Sequence, residues 1–336
     1  MTTRPQLATP LGGTPATILG IGAYRPSRVV SNHELVEAID SSDEWIQQRS
    51  GIKQRRFATP DETIQMMSVA ACREALDRAG IEASQVDAVI VATVSHLMQT
   101  PAIAPAIASE LGCSQPVAFD ISAACAGFCH GVTLASDMIR GGSATYALVV
   151  GVERLSDILD LDDRGTAFIF ADGAGAVLIG PNETSGIGPV VWGSDGEHFD
   201  YIRQREDWRD VMASDAPVMP HLTMQGSAVF RWASFAMAKV GLEAVERAGV
   251  SVDDLDCFVP HQANMRITDA MARSMKLPAT VKIARDVAEQ GNTSAASVPH
   301  ALHRMVADGD AQSGDLALLI AFGAGLAYAA QVVVLP

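Results

Sequence analysis

The chain repeats itself at half its own length, and few folds accommodate that. Glu74-Ala75-Leu76-Asp77-Arg78-Ala79-Gly80-Ile81, followed by Val86-Asp87-Ala88-Val89-Ile90-Val91, returns 169 residues later. The second copy is Glu243-Ala244-Val245-Glu246-Arg247-Ala248-Gly249-Val250, followed by Leu255-Asp256-Cys257-Phe258-Val259-Pro260, in a chain of 336. Each copy reads as an amphipathic helix stopped by a glycine (Gly80 or Gly249), a short connection and a buried strand. Ala147-Leu148-Val149-Val150 likewise matches Ala317-Leu318-Leu319-Ile320, and Ser122-Ala123-Ala124-Cys125 matches Ser294-Ala295-Ala296-Ser297. A repeat this long, seen twice, is no solenoid; it implies two fused, similarly folded halves. Apolar strand patterns alternate with helical ones in both, so each half is an α/β layer around a largely buried sheet.

Duplication has a chemical consequence. It sets the loop carrying Cys125 opposite the loop carrying Asn292 across a pseudo-dyad, with His261 at the end of the strand equivalent to 88–93. Cys125 ends the apolar run Phe119-Asp120-Ile121 and a string of small residues, and it opens a helix. There the unpaired N–H groups and positive dipole end stabilise a thiolate. Cys, His and Asn at three such junctions supply a nucleophile, a base and a hydrogen-bond donor. The competing reading is a packed core cysteine, the commoner fate of a lone Cys among small residues. Cys129 and His130 follow Cys125 on one helix but lack a fourth ligand, which disfavours zinc, and no metal is expected. His300 and His303 fit solvent or core positions, and Gly173-Ala174-Gly175 lacks the third glycine of a dinucleotide fingerprint.

Charge narrows the partners. Twenty-four Lys and Arg against 39 Asp and Glu leave a net charge of -15, which disfavours nucleic acid and anionic membranes. An acidic partner would need a local basic patch, for which Lys53-Gln54-Arg55-Arg56, joined by Arg266, is the candidate. Five scattered cysteines without a C-x-x-C pair suggest a reducing cytoplasm and no disulfide framework. Residues 1–16, polar and rich in Thr and Pro, read as a flexible tail without the apolar core of a signal peptide. Leu316 to Pro336 is long and apolar, but Gly323, Gly325 and Gln331 interrupt it, so two buried strands turning at 323–325 fit better than a membrane span.

The longer motifs are Ser42-Asp43-Glu44-Trp45-Ile46, Asp163-Arg164-Gly165-Thr166, Phe170-Ala171-Asp172-Gly173-Ala174-Gly175, Pro260-His261-Gln262-Ala263-Asn264 and Gly291-Asn292-Thr293-Ser294. In these, and from Ile18 to Gly325, the chain resembles the β-ketoacyl-acyl-carrier-protein synthases III of the thiolase superfamily. The resemblance implies a thiolase-like fold: two duplicated α/β halves in αβαβα layers, 17–180 and 228–336, joined by a connecting and substrate-tunnel segment, 181–227. It implies a decarboxylative Claisen condensation of an acyl-CoA primer with malonyl-acyl-carrier-protein, starting type II fatty-acid synthesis, with CoA thioester as substrate and no cofactor. Cys125 would be acylated, the N–H groups of Cys125 and Gly325 would form the oxyanion hole, and His261 and Asn292 would donate to the malonyl thioester carbonyl. Trp45 and Arg164 would sandwich adenine, with Arg49 at the phosphates and Met224, Gly226, Phe230 and Asn264 along the pantetheine tunnel. Arg266, Lys53, Arg55 and Arg56 would dock the acidic carrier protein. A homodimer is also implied, with Asp120 to Ala124 near the contact.

The sequence departs from that family's pattern at two positions. Ala171 stands where a second glycine is common, and Thr100 stands where some acetyl-selective members carry Phe, which implies a larger primer pocket. The alternative on the same fold is a priming synthase or acyltransferase of a polyketide pathway. The duplication argues against a papain-like hydrolase, and retention of Cys125, His261, Asn292 and Gly325 argues against an inert partner subunit.

Overall fold

The computed structural model describes residues 13–336. The expected tail lies outside the described residues as far as residue 12, and Ala16 already opens the first strand. In chain order the strands are β1 (Ala16–Tyr24), β2 (Arg28–Ser31), β3 (Gln54–Phe57), β4 (Ala88–Ala92), β5 (Val117–Ile121), β6 (Ala147–Arg154) and β7 (Asp172–Pro181). They continue with β8 (Val191–Ser194), β9 (Ile202–Gln204), β10 (Leu222–Met224), β11 (Cys257–Pro260), β12 (Lys282–Ile283), β13 (Leu316–Gly323) and β14 (Ala327–Val334). Two five-stranded sheets, β1-β7-β6-β4-β5 and β8-β14-β13-β11-β12, carry the fold, with β2/β3 and β9/β10 as two-stranded ribbons.

The halves match in register as well as in order. Ala88 lies opposite Ala147 where parallel β4 meets β6, and Cys257 lies opposite Ala317 where parallel β11 meets β13. In both sheets the next strand, β7 or β14, returns antiparallel. Side chains alternate along a strand, and these strands are apolar on both faces because both are covered. On β6 Val149 faces the core between the sheets while Leu148 and Val150 face an outer core; on β13 Leu319 faces the same inner core while Leu318 and Ile320 face a separate outer one. The shared inner core holds Phe128, Val132 and Ala135 of the helix Gly127–Arg140 with Val298, Ala301 and Leu302 of the helix Ser297–Asp308, between the two sheets. The helix Ile64–Ala79 covers the outer face of one sheet, and the helices Gly226–Arg247 and Met265–Met275 cover the other. The result is helix, sheet, helix, sheet, helix, the expected αβαβα order.

Local signals behave as the sequence predicts. Gly80 (φ +65°) and Gly249 (φ +76°) adopt the left-handed conformation past their helices, which glycine enters without a Cβ penalty. Leu316 to Pro336 forms β13 and β14 around a short turn at Ala324–Leu326, and no helix of the described residues is long and apolar enough to cross a membrane. The helix Ile64–Ala79 lies so close to β1 that a Cβ on Gly20 would strike the Ala75 carbonyl and one on Gly22 the Ala71 carbonyl.

One sequence alignment needs correction. The 3-10 turn Ala124–Ala126 corresponds to the turn Ser294–Ala296, and Ala124 (φ +46°) and Ser294 (φ +48°) share an unusual left-handed backbone. The equivalence therefore runs at 170 residues, which pairs Cys125 with Ala295 and Gly127 with Ser297. The letters Ser-Ala-Ala suggested a two-residue slip because small residues alone do not fix backbone handedness.

Candidate active site

Three junctions converge. Cys125 sits in the turn between β5 and the helix Gly127–Arg140, His261 directly follows β11, and Asn292 precedes the Ser294–Ala296 turn. Their exposures are 7%, 2% and 4%, and all three line one cavity of about 560 Å³.

Each side chain is held by its own segment. The His261 N–H donates to the Ile320 carbonyl (2.7 Å), which extends the β11–β13 pairing by one residue, and its Nδ1 lies 2.6 Å from Ser297 Oγ. Phe322 packs edge-on to the imidazole at 5.4 Å between ring centres. Burial pushes the His261 pKa down to about 3, so the ring is neutral. The Asn292 N–H donates to the Ile169 carbonyl (2.9 Å) and its carbonyl accepts from the Ala171 N–H (2.8 Å). The Phe170-Ala171 motif thus clamps the Asn292 loop. Asn292 Oδ1 accepts the Ser294 N–H at 2.8 Å, which leaves the amide NH2 as the free donor of this cavity-lining side chain.

Cys125 differs from the sequence expectation of a resting thiolate. Burial pushes its thiol up to about 12, a hydrogen bond with the Ser294 hydroxyl opposes that rise, and the charge of Glu153 adds to it. Desolvation outweighs the helix start because the thiol sits in a closed turn one step ahead of the helix. A Cβ on Gly323 would fall 2.7 Å from the Cys125 nitrogen, so the backbone where β13 passes into its turn abuts Cys125. Ala324 of that turn lines the cavity, and Gly325 follows at φ +122°. Reciprocal backbone hydrogen bonds between Leu326 and Asp195 (2.9 and 3.2 Å) fix the turn from the other side.

A second cavity, about 460 Å³, is lined by Trp45, Arg49, Arg164, Met224, Gly226, Phe230 and Asn264, all seven of the residues expected along a CoA path. It shares Met224, Val229, Ala263 and Asn292 with the first, which it adjoins along these residues. The guanidinium carbons of Arg164 and Arg49 stand 4.9 and 5.4 Å from the Trp45 ring centre. Asn264 is already engaged: its Oδ1 caps the helix Met265–Met275 through the Arg266 N–H, and its Nδ2 donates to the Arg49 carbonyl.

The basic run divides. Arg266 is exposed at the mouth of the second cavity, its guanidinium 5.0 Å from the Phe230 ring. Lys53 is exposed and pairs with Glu289, and half-buried Arg56 donates to the Pro26 carbonyl. Arg55 is 0% exposed and is no docking residue. It donates to the Asn32 side chain (2.6 Å), the Phe168 carbonyl (2.9 Å) and the Val30 carbonyl (3.2 Å). Burial lowers its pKa only to about 10, so it stays charged. The physical reason is the two-residue period of β3, which sends Arg55 and Phe57 inward together and Gln54 and Arg56 outward. Sequence reading passed over the exposed stripe Arg231, Phe235 and Lys239 on the helix Gly226–Arg247. Its signal is the four-residue spacing, and Phe235 is 77% exposed.

Thr100 is exposed and is not among the residues lining its own chain's cavity, whereas Leu97, Met98 and Gln99 are. Cys129 is buried in the inner core, His130 stacks on Trp192, and the described residues contain no cluster of three or more His, Cys, Asp or Glu able to hold a metal. His300 is a core residue bonded to the Tyr24 and Ala174 carbonyls, and His303 meets Glu74. A further residue escaped the sequence reading: Glu153, 0% exposed at the end of the apolar strand β6, stands behind Cys125 and Ser294. An acidic residue closing an apolar strand was the available signal.

Residues 119–196 match the family model for 3-oxoacyl-[acyl-carrier-protein] synthase III, and residues 245–335 match the model for its C-terminal part. A β-ketoacyl-[acyl-carrier-protein] synthase III of Streptomyces coelicolor is 56% identical over 97% of this chain and 98% of its own. Among solved structures, the priming β-ketosynthase from the R1128 polyketide biosynthetic pathway aligns with a TM-score of 0.96 at 46% identity, covering 99% of both chains. The 3-oxoacyl-(acyl carrier protein) synthase III of Pseudomonas aeruginosa aligns at 0.88 and 37% identity, covering 96% of this chain and 98% of that one.

Proposed function

The chain belongs to the 3-oxoacyl-[acyl-carrier-protein] synthase III family of the thiolase superfamily, and from that premise we propose how its own residues divide the work. The enzyme is an acyltransferase that condenses an acyl primer with a malonyl thioester and so initiates fatty-acid synthesis. Its acyl donor is an acyl-CoA and its acceptor a malonyl-acyl-carrier-protein.

In this reading Cys125 attacks the acyl-CoA carbonyl, and the N–H groups of Cys125 and Gly325 receive the oxyanion. CoA leaves and the malonyl arm enters. His261 and Asn292 donate to its thioester carbonyl, CO2 departs, and the enolate carbon attacks the acyl-cysteine, releasing the 3-oxoacyl product and Cys125. A neutral His261 fits a donor role. In that role Nε2 carries the ring proton, and Nδ1 takes a hydrogen bond from the Ser297 hydroxyl 2.6 Å away. The observation that carries the reading is a pair of cavities with Asn292 on the wall of both, one lined by Trp45 and Arg164 and the other by Cys125 and His261.

The binding roles lie along the same two cavities. Trp45, Arg49 and Arg164 hold the adenine and phosphates, and Met224, Gly226, Phe230 and Asn264 form the pantetheine passage. Arg266, together with Arg231 and Lys239 around Phe235, receives the acidic carrier protein, with Lys53 and Arg56 farther out. We read 17–180 and 228–336 as the two halves joined by 181–227, the protein as a homodimer, and its location as cytoplasmic, in keeping with five free cysteines. Thr100 acts on primer choice in the partner's pocket. A priming role in a polyketide pathway is the second reading, favoured by the likeness to the R1128 ketosynthase, and it employs the same site.

Cys125→Ala is expected to abolish the acyl adduct by intact mass, and a stable adduct on Cys129 would overturn the assignment. His261→Ala and Asn292→Ala are expected to keep acylation and to lose malonyl decarboxylation by about 10²-fold or more, the cost of one oxyanion donor. Equal loss of both half-reactions would contradict this division.

A further inference from the structure

The acid that ends β6 ties together two segments of the reaction cavity. Glu153 accepts hydrogen bonds from the Ser294 hydroxyl (3.1 Å), the Thr93 hydroxyl (3.3 Å), the Val94 N–H (3.1 Å) and the Ser95 hydroxyl. Thr93 and Val94, which follow β4, line the cavity, and so do Asn292 and Ser294 from the other half of the chain. No cation among the described residues bonds the carboxylate. Burial raises it to about 7, and the four donors oppose that rise. A buried carboxylate is costly, and the duplication shows that the strand end does not need one. At the spacing that relates the halves, Glu153 corresponds to Gly323, whose bare backbone lies against Cys125. Ser294 corresponds to Ala124, which adopts the same left-handed backbone. That turn therefore forms without a hydroxyl, and the pairing of Glu153 with Ser294 belongs to the Asn292 side alone.

Resting on Asn292 as a donor to the malonyl thioester, we propose that Glu153 is a positioning residue that holds the Asn292 amide in its donor orientation, acting through Ser294. Asn292 Oδ1 accepts the Ser294 N–H at 2.8 Å, so the direction of the amide NH2 follows the place of Ser294. Ser294 sits at φ +48°, a conformation that costs a residue with a Cβ and persists only where its surroundings hold it. Two positions on one face of β6 do so. Gly151 abuts the turn, because a Cβ there would strike the Ala295 carbonyl, and Glu153 takes the Ser294 hydroxyl. The same carboxylate grips residues 93–95, which fixes the Asn292 turn against the segment after β4. Without that hold the Asn292 amide is free to swing, and the thioester oxygen keeps His261 as its steady donor.

The test is a single turnover. Each enzyme is first acylated to completion with acetyl-CoA, so that the rate of acylation does not enter, and is then mixed with malonyl-acyl-carrier-protein. Intact mass follows the loss of the acyl adduct. Ser294→Ala, whose backbone has a precedent in Ala124, is expected to slow that loss about tenfold, part of the 10²-fold or more expected for removing the donor itself. Ser294→Ala combined with Asn292→Ala is expected to be no slower than Asn292→Ala, because nothing is left to position. Glu153→Asp, one methylene shorter, is expected to match Ser294→Ala, and the two together to lose no more than Ser294→Ala alone. If Glu153→Asp does not fold, Glu153→Gln with Ser294→Ala takes its place under the same expectation. An undiminished rate in Ser294→Ala or Glu153→Asp, or losses that multiply in a double variant, would overturn the positioning role. Failure of Ser294→Ala to form any acyl-enzyme would assign its hydroxyl to Cys125 instead and overturn it as well. An undiminished rate in Asn292→Ala would sink the donor reading beneath it.

Discussion

Arg55 and Cys125 are both ionisable side chains taken out of water, and they end in opposite charge states because their partners differ. Arg55 meets three oxygen acceptors and keeps its charge, since hydrogen bonds to an ionised group are the strong ones. Cys125 meets one hydroxyl and a nearby carboxylate, and stays protonated. Arg55→Met is therefore expected to destabilise the fold by about 3 kcal/mol or more, because it strands buried acceptors while supplying only apolar volume. Denaturant unfolding measures this. Folded Arg55→Met enzyme should keep the wild-type KM for malonyl-acyl-carrier-protein, while Arg266→Glu should raise it; the reverse pattern would return Arg55 to the docking face.

At the scale of elements, the contact between β1 and the helix Ile64–Ala79 decides how tightly the outer layer sits. Gly20 and Gly22 present bare backbone to the carbonyls of Ala75 and Ala71, and Ala71 and Ala75 are themselves small and buried. An added methyl has nowhere to go except by lifting the helix. Gly22→Ala is expected to cost about 1–3 kcal/mol, the usual range for overpacking, and to lower the melting temperature by several degrees. An unchanged thermal transition would show that the helix can shift freely. Acylation of Cys125 should survive, because this helix packs on the face of the sheet away from the inner core.

For the whole molecule, β5 is one of the open sheet edges among the described residues. It pairs with β4 on one side only, and Val117 on it is exposed, as are Leu97 and Met98 on the loop that follows β4. An open strand edge beside exposed apolar side chains invites pairing, and a two-fold axis there would join two copies into one continuous sheet. Light scattering at micromolar concentration should find a dimer, and an active monomer would refute the proposal. In the same assembly Thr100→Phe is expected to shift acylation toward acetyl-CoA over hexanoyl-CoA, by roughly tenfold if two buried methylenes are excluded. An unchanged rank order would remove Thr100 from primer selection.

The sequence by itself determined the duplicated α/β architecture and singled out the trio to which the chemistry is proposed. Duplication at 169 residues, strands apolar on both faces and helix stops at Gly80 and Gly249 are local or periodic signals, and a sheet covered on both sides has no other way to satisfy them. Cys125, His261 and Asn292 were legible because each stands at a junction, where function concentrates. Other features belong to distance relations between segments far apart in the chain. Only the fold decided that Arg55 turns inward to Phe168, that Ala124 rather than Ser122 is the counterpart of Ser294, and that Glu153 lies behind Cys125. Burial and hydrogen bonding set those outcomes, and both depend on which segments meet, which no local pattern of residues records.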